Sequence, residues 1–113
     1  MKSKILALSK NEDFKNLLKG KKLSNKYVTI FFGILDNKKN NKLNISFVTK
    51  RKIGNAVKRN KIKRRLRNII NDAVKKISIK FSYSYLVIAK STMLNTEFKD
   101  IKETLFHELK KIK

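Results

Sequence analysis

Apolar residues recur in two distinct periods along this chain, and the changes of period predict its elements. Phe14, Leu17 and Leu18 are spaced for a helix over about residues 10–19. Ser9 and Glu12 stand in the S-x-x-E relation that satisfies two orphan amides at a helix start, and Gly20 follows as a stop. From Asn25 to Leu35 the period becomes two. Val28, Ile30, Phe32 and Ile34 form the face expected in the core, and Tyr27, Thr29, Phe31 and Gly33 form the other. After a polar turn at Asp36–Lys42, a second strand carries Leu43, Ile45 and Phe47 on one face and Asn44, Ser46 and Val48 on the other. Two strands joined by a short turn read as an antiparallel hairpin.

A long helix is predicted from an N-cap at Asn55 to about Ile77. Ile62, Leu66, Ile69, Ile70, Ala73 and Ile77 make its apolar stripe, and Val57 lies off it. Asn60, Arg64, Arg67 and Asn71 project on the opposite side, flanked by Lys61, Lys63, Arg65 and Asn68, so the helix is amphipathic. Phe81–Ala89 reads as a strand buried towards Leu86, Val87 and Ile88. Thr96 is placed to cap a last helix with Glu97 and Asp100 in its first turn, and Phe98, Ile101, Leu105, Leu109 and Ile112 as its stripe. The order helix, strand, strand, helix, strand, helix predicts an α/β (α+β) sandwich with helices against a small mixed sheet. With 113 residues and no repeat or linker, a single domain over 1–113 is expected.

Charge changes the picture from fold to partner. The net charge is +22, and no acidic residue occurs between Asp36 and Asp72. Lys50, Arg51 and Lys52 lead into the long helix, where Lys58, Arg59, Lys61, Lys63, Arg64, Arg65 and Arg67 follow. Such crowding of one sign repels itself unless a polyanion is the partner. Arg suits phosphate through its planar fork and Lys acts as a point charge. Tyr27, Thr29 and Phe31, with Phe14 beside them, add a polar and aromatic sheet face on which unpaired bases can stack. The expectation is therefore two surfaces, a cationic helix for structured RNA and a cleft for a single strand.

Catalytic chemistry finds no such support. Cys is absent, which excludes disulfides, thiol chemistry and Cys-type zinc sites. The one histidine, His107, falls on the exposed side of the last helix without a carboxylate partner, and Gly20, Gly33 and Gly54 stand too far apart for a phosphate loop. No catalytic and no metal-binding residue is assigned to the protein. The Ile5–Leu8 run is too short for a signal peptide and no stretch approaches a membrane span, so a cytoplasmic protein is expected.

Lys52-Ile53-Gly54-Asn55-Ala56-Val57, followed by Arg59-Asn60-Lys61-Ile62-Lys63-Arg64-Arg65-Leu66-Arg67, resembles the signature of the bacterial ribonuclease P protein component. The resemblance extends to Lys10–Phe14, the strand pair and Tyr85–Lys90. It implies an α-β-β-β-α-β-α order with a left-handed βαβ crossover, where the general rule gives a right-handed one. It also implies an accessory subunit of an endoribonuclease that removes the 5′ leader of precursor tRNA. In that family the RNA subunit is the catalyst and holds the Mg²⁺ ions, and no stable protein partner is required. Carried over by position, contacts to ribonuclease P RNA fall on Arg59, Asn60, Lys63, Arg64 and Arg67, with Lys50, Arg51 and Lys52 at the helix entrance; Lys61 and Arg65 extend the surface by charge. The leader cleft falls on Phe14, Phe31 and Lys90, beside Tyr27 and Thr29 from the strand pattern. Leu18 stands where many members carry a second aromatic, and Ser91-Thr92 replaces a more basic or proline-containing segment. A basic ribosomal protein of small α/β fold is the alternative on charge and size.

Overall fold

A computed structural model describes residues 5–8, 11–35 and 42–112. In chain order the elements are β1 (Ile5–Leu6), α1 (Asn11–Leu18), β2 (Lys21–Ser24), β3 (Val28–Gly33), β4 (Leu43–Val48), α2 (Ala56–Lys76), β5 (Ser84–Ala89) and α3 (Phe98–Lys111). Short 3-10 turns at Arg51–Ile53 and Ser91–Asn95 precede α2 and α3. The sheet order is β1-β4-β5-β3-β2. β4 lies parallel to β1 and β5, and β3 lies antiparallel to β5 and β2, so the sheet is mixed.

The expected hairpin between β3 and β4 does not form, because β5 lies between them. β5 carries Tyr85-Leu86-Val87-Ile88-Ala89, and nearly all of it is buried. A strand apolar on both faces gains most at the sheet centre, where helices cover it on both sides. Of the polar turn expected at Asp36–Lys42, residues 36–41 lie outside the described residues, as do Ser9 and Lys10 of the expected capping box. The reading of local periods also missed β2, whose Lys21-Lys22-Leu23-Ser24 holds one apolar residue and is largely exposed. Charged side chains on a short strand are the usual marks of a sheet edge. The family order implied this strand; hydrophobic periodicity did not.

α2 and α3 cover one face of the sheet and α1 the other. The main core joins Val28, Ile30 and Phe32 of β3, Leu43 and Ile45 of β4, Ile62, Leu66, Ile69, Ile70 and Ala73 of α2, and Ile101, Leu105 and Leu109 of α3. A smaller cluster lies under α1. Leu8, Leu17 and Leu86 are buried there, and Phe14, Phe31, Leu35, Val48 and Ile88 pack around them. Gly20 closes α1, its amide donating to Leu17 O at 3.0 Å. A β-carbon there would sit 3.2 Å from Phe32 O, so the tight return to β2 favours glycine.

Two positions depart from the period-two reading of β3. Ile34 is 73% exposed because the strand ends at Gly33. Tyr27 is 4% exposed and belongs to the main core rather than the opposite face. The cause is an Asn-centred turn before the strand: Asn25 Oδ1 accepts from the amides of Tyr27 (2.8 Å) and Val28 (2.9 Å). The backbone alternation begins only after that turn. At α3, Thr96 does not cap. Its hydroxyl donates to Thr92 O at 2.7 Å, within the preceding 3-10 turn, and Glu97 takes the N-cap position without a side-chain bond. Asp100 does occupy the first turn.

Tyr85 shows how a polar group is kept in this interior. Its hydroxyl donates to Lys80 O at 2.8 Å, and burial pushes its pKa up, so it stays a protonated donor. At the surface, Lys102 Nζ lies 2.6 Å from Asp72 Oδ2 and ties α3 to α2, and that hydrogen bond holds the Asp72 carboxyl below its usual range.

Leu66 is fully buried at the centre of the α2 stripe. Leu66→Ala is expected to cost about 2–5 kcal/mol, from lost burial plus the cavity left behind. Urea unfolding checks this: the midpoint should fall with little change in slope.

Candidate nucleic-acid interface

The candidate interface starts where β4 ends. Beyond Val48 the chain enters the 3-10 turn, in which Lys50, Arg51 and Lys52 are exposed while Ile53 is buried and anchors the turn. The Ile53 amide donates to Lys50 O at 3.0 Å. Gly54 then takes φ 159° and ψ −168°, a region that essentially only glycine occupies. Asn55 caps α2 as expected, its Oδ1 accepting from the Lys58 amide at 3.0 Å. Three exposed cations are thereby fixed beside the first turn of a cationic helix.

Along α2, Asn60, Lys61, Arg64, Arg67 and Asn68 are exposed, and Arg59, Lys63 and Arg65 are half-buried. Val57 is 76% exposed, in keeping with its place off the stripe. The first turn holds no acidic residue. Among the described residues, none of the cations from Lys50 to Arg67 lies within ion-pair distance of a carboxylate. Arg59 Nε is occluded and has no hydrogen-bond partner among the described residues. The interface is thus electrostatically unsatisfied among the described residues.

Lys63 and Arg67 do more than extend this surface. They line a groove of about 460 Å³ together with Phe14 of α1 and Ser46, Phe47 and Val48 of β4. β1 pairs only with Leu43 and Asn44, which leaves the later part of β4 to form the groove floor. Ser46 Oγ accepts from the Leu8 amide at 2.8 Å and holds the wall on the β1 side. Cationic and aromatic side chains from three elements therefore meet in one place.

The sheet face beside this groove follows from register. Ser24, Thr29, Ile88 and Val48 lie in one cross-strand row, and Lys22, Phe31, Leu86 and Ser46 in the next. Thr29 Oγ1 is 3.1 Å from Ser24 Oγ. Lys90 Nζ donates to Ser24 Oγ (2.9 Å) and Asn25 O (2.5 Å), so this cation is tied to the β2–β3 turn at the end of the row. Of the five residues expected to line a cleft, the fold gathers Phe14, Phe31, Thr29 and Lys90 on the α1 side of the sheet. Tyr27 is the exception, since its ring is in the main core and offers no open stacking face. Leu18, at the position noted for a second aromatic, is 49% exposed.

Val48, Ile88 and Phe47 were not assigned to the cleft from sequence. Period two placed Val48 on the correct face, but its pairing with Ile88 joins strands forty residues apart in the chain, as the register Val48↔Ile88 shows. No local pattern carries that information. Among the described residues no group of three or more His, Cys, Asp or Glu side chains is arranged to hold a metal ion. His107 is exposed on α3. No helix among the described residues is long and apolar enough to cross a membrane.

The fold and this site define a small, strongly basic α/β protein built on a mixed sheet with one cationic helix at its parallel crossover. More particularly, the chain belongs to the Ribonuclease P protein family, whose model matches residues 3–113. It is 33% identical over 110 residues to the ribonuclease P protein component of Carboxydothermus hydrogenoformans, covering 94% of this chain and 90% of that one. The Listeria monocytogenes ribonuclease P protein component is 32% identical over 104 residues, covering 91% and 84%. Among solved structures, the RNase P protein of Thermotoga maritima superposes with a TM-score of 0.80 at 27% identity, over 96% of this chain and 98% of that one. That of Staphylococcus aureus gives 0.77 at 28% identity, over 94% and 93%.

The entrance to α2 depends on Asn55. Asn55→Ala removes the cap and is expected to cost about 1 kcal/mol, read as a lower urea midpoint. The helix interior should be retained, because its stripe is buried independently of the cap.

Proposed function

We propose that this chain is the protein subunit of ribonuclease P. In this reading it binds the catalytic RNA and the 5′ leader of precursor tRNA, and so supports endonucleolytic removal of the leader to give the mature 5′ end. The observation that carries the reading is the meeting of a cationic helix with an aromatic groove at Lys63, Arg67 and Phe14. Phosphates are held by the cations, which fix position and affinity but read little sequence. Unpaired bases of a leader are held by stacking, for which Phe14 and Phe31 offer partly open rings. Lys50, Arg51, Lys52, Arg59, Asn60, Lys61, Arg64 and Arg65 supply the remaining RNA contacts, and Thr29 and Lys90 border the leader track.

Hydrolysis itself is assigned to the RNA subunit, whose Mg²⁺ would supply activation of water for attack on the phosphodiester. The donor set of the protein supports this division, since the charged residues lining the groove are the cations Lys63 and Arg67. The protein's own part is to lower repulsion between two polyanions and to fix the leader relative to the catalytic RNA. Effective concentration, rather than proton transfer, is its contribution.

Arg64→Ala is expected to weaken assembly with the catalytic RNA and to flatten the salt dependence of that binding by roughly 0.7–0.9 in log–log slope for one phosphate contact. Phe31→Ala should instead weaken leader-bearing precursor tRNA by about 1–3 kcal/mol per lost stacking contact and leave the catalytic-RNA affinity in place. Filter binding across a salt series measures both. Normal binding of RNA and substrate by both variants would overturn the two-surface reading.

A further inference from the structure

At the edge of the sheet away from β4, the start of β2 and the end of β3 build a surface that contains no residue of α2. β2 pairs with β3 on one side and, among the described residues, with no strand on the other. Lys21, Lys22 and Ser24 are exposed along it. The register Lys21↔Phe32 sets the start of β2 beside the end of β3. There Leu17, Phe32, Ile34, Leu35 and Tyr83 line an apolar pocket of about 380 Å³, together with Lys21. Ile34 is largely exposed, and Lys80 Nζ lies 5.8 Å from the centroid of the Tyr83 ring. No carboxylate lines the pocket, and among the described residues none lies within ion-pair distance of Lys21 or Lys22.

The chemistry of this edge selects its occupant. A strand edge presents amides and carbonyls in a row. An extended peptide carries both kinds of group at the same spacing and completes the row as an added strand. A phosphate backbone carries acceptors only, so it leaves the edge carbonyls without donors. A second copy of this chain, paired edge to edge, would set Lys21 and Lys22 against the same lysines. Like charges opposite one another destabilise a strand pair, and edge lysines block self-pairing for that reason. Carboxylates opposite the same lysines are favourable. β2 spans about 13 Å, room for four residues of a partner strand, and the pocket at its Lys21 end has space for one large apolar side chain.

We propose that β2 and the pocket at Leu17, Ile34 and Tyr83 bind an extended acidic segment of a partner protein, which adds a strand to the sheet and seats one large apolar side chain in the pocket. Main-chain hydrogen bonds hold the segment. Lys21 and Lys22 pair with its carboxylates, and the pocket selects its apolar residue. The pocket shares no residue with the groove at Lys63 and Arg67, so the protein partner and RNA do not compete for a side chain.

The test selects random eight-residue peptides, displayed on phage, against the full chain. The enriched peptides are synthesised and their affinities measured for the full chain and for I34S and K21Q, which change exposed side chains. Circular dichroism and thermal unfolding report that each variant folds. Enriched peptides are expected to combine carboxylates with one large apolar residue. I34S should weaken them about 10-fold through lost apolar contact, and K21Q about 2- to 5-fold, the range of an exposed ion pair. Hydrogen exchange at the amides of Lys21–Ser24 should slow when peptide binds, a response that diffuse attraction to a basic protein does not give. I34S should keep the wild-type affinity for a bacterial ribonuclease P RNA. Failure of any acidic, apolar peptide to enrich, equal affinity for both variants and the full chain, or unchanged exchange in β2 would each overturn the proposal. So would either rival occupant: loss of oligouridine binding in I34S would make this an RNA surface, and a dimer that I34S abolishes would make it a contact between copies.

Discussion

Everything in this molecule depends on the core holding α2 against its own charge. Between Lys58 and Arg67, six pairs of cations stand three or four residues apart: 58–61, 59–63, 61–64, 61–65, 63–67 and 64–67. At about 0.2–0.5 kcal/mol for each like-charge pair, their repulsion totals on the order of 1–3 kcal/mol. The helix N-terminus adds to this, since cations there oppose the positive end of the macrodipole. Against it stand Ile62, Leu66, Ile69 and Ile70, each 0–1% exposed. Burying such side chains is worth about 1.5–3 kcal/mol apiece, so burial wins by a clear margin. The helix remains folded while its cations from Lys58 to Arg67 have no carboxylate within ion-pair distance among the described residues, and an anionic partner would relieve a strain that the fold itself sustains.

The sheet sets where that unpaired charge can act. β5 at the centre fixes β4 on one side and β3 on the other, and the parallel β4–α2–β5 crossover lays α2 across one face. α1 covers the opposite face only partly, leaving Phe14 and Phe31 half-buried. Cationic and aromatic side chains that lie far apart in sequence are therefore neighbours at the edge of β4. Function in this reading comes from juxtaposition: no single residue performs chemistry, and the arrangement brings two RNA strands within reach of one rigid helix.

Much of this was legible in the sequence because the informative patterns are local. The α2 boundaries, the Asn55 cap, the buried stripe and the exposed Val57 all follow from spacing along one helix, and the structure agrees with each. What failed was non-local or one residue too fine. Strand order depends on β5 outcompeting β4 for the place beside β3, which no hairpin rule records. Tyr27 lies in the core rather than on the opposite face because the turn centred on Asn25 holds it just before the alternation begins at Val28. β2 escaped because an edge strand guarded by lysines has almost no apolar signal. The resemblance to the ribonuclease P protein component supplied β2 in the element order but not the short β1 before α1, and the family match bears that recognition out.

The most direct test of the central claim is cleavage of a precursor tRNA carrying a short 5′ leader at low Mg²⁺. The protein alone, a bacterial ribonuclease P RNA alone and the two together are compared, the protein having first been freed of RNA. The subunit reading expects cleavage at the mature 5′ end only when both are present. Cleavage by the protein alone, or no stimulation of a cognate RNA by the protein, would contradict it.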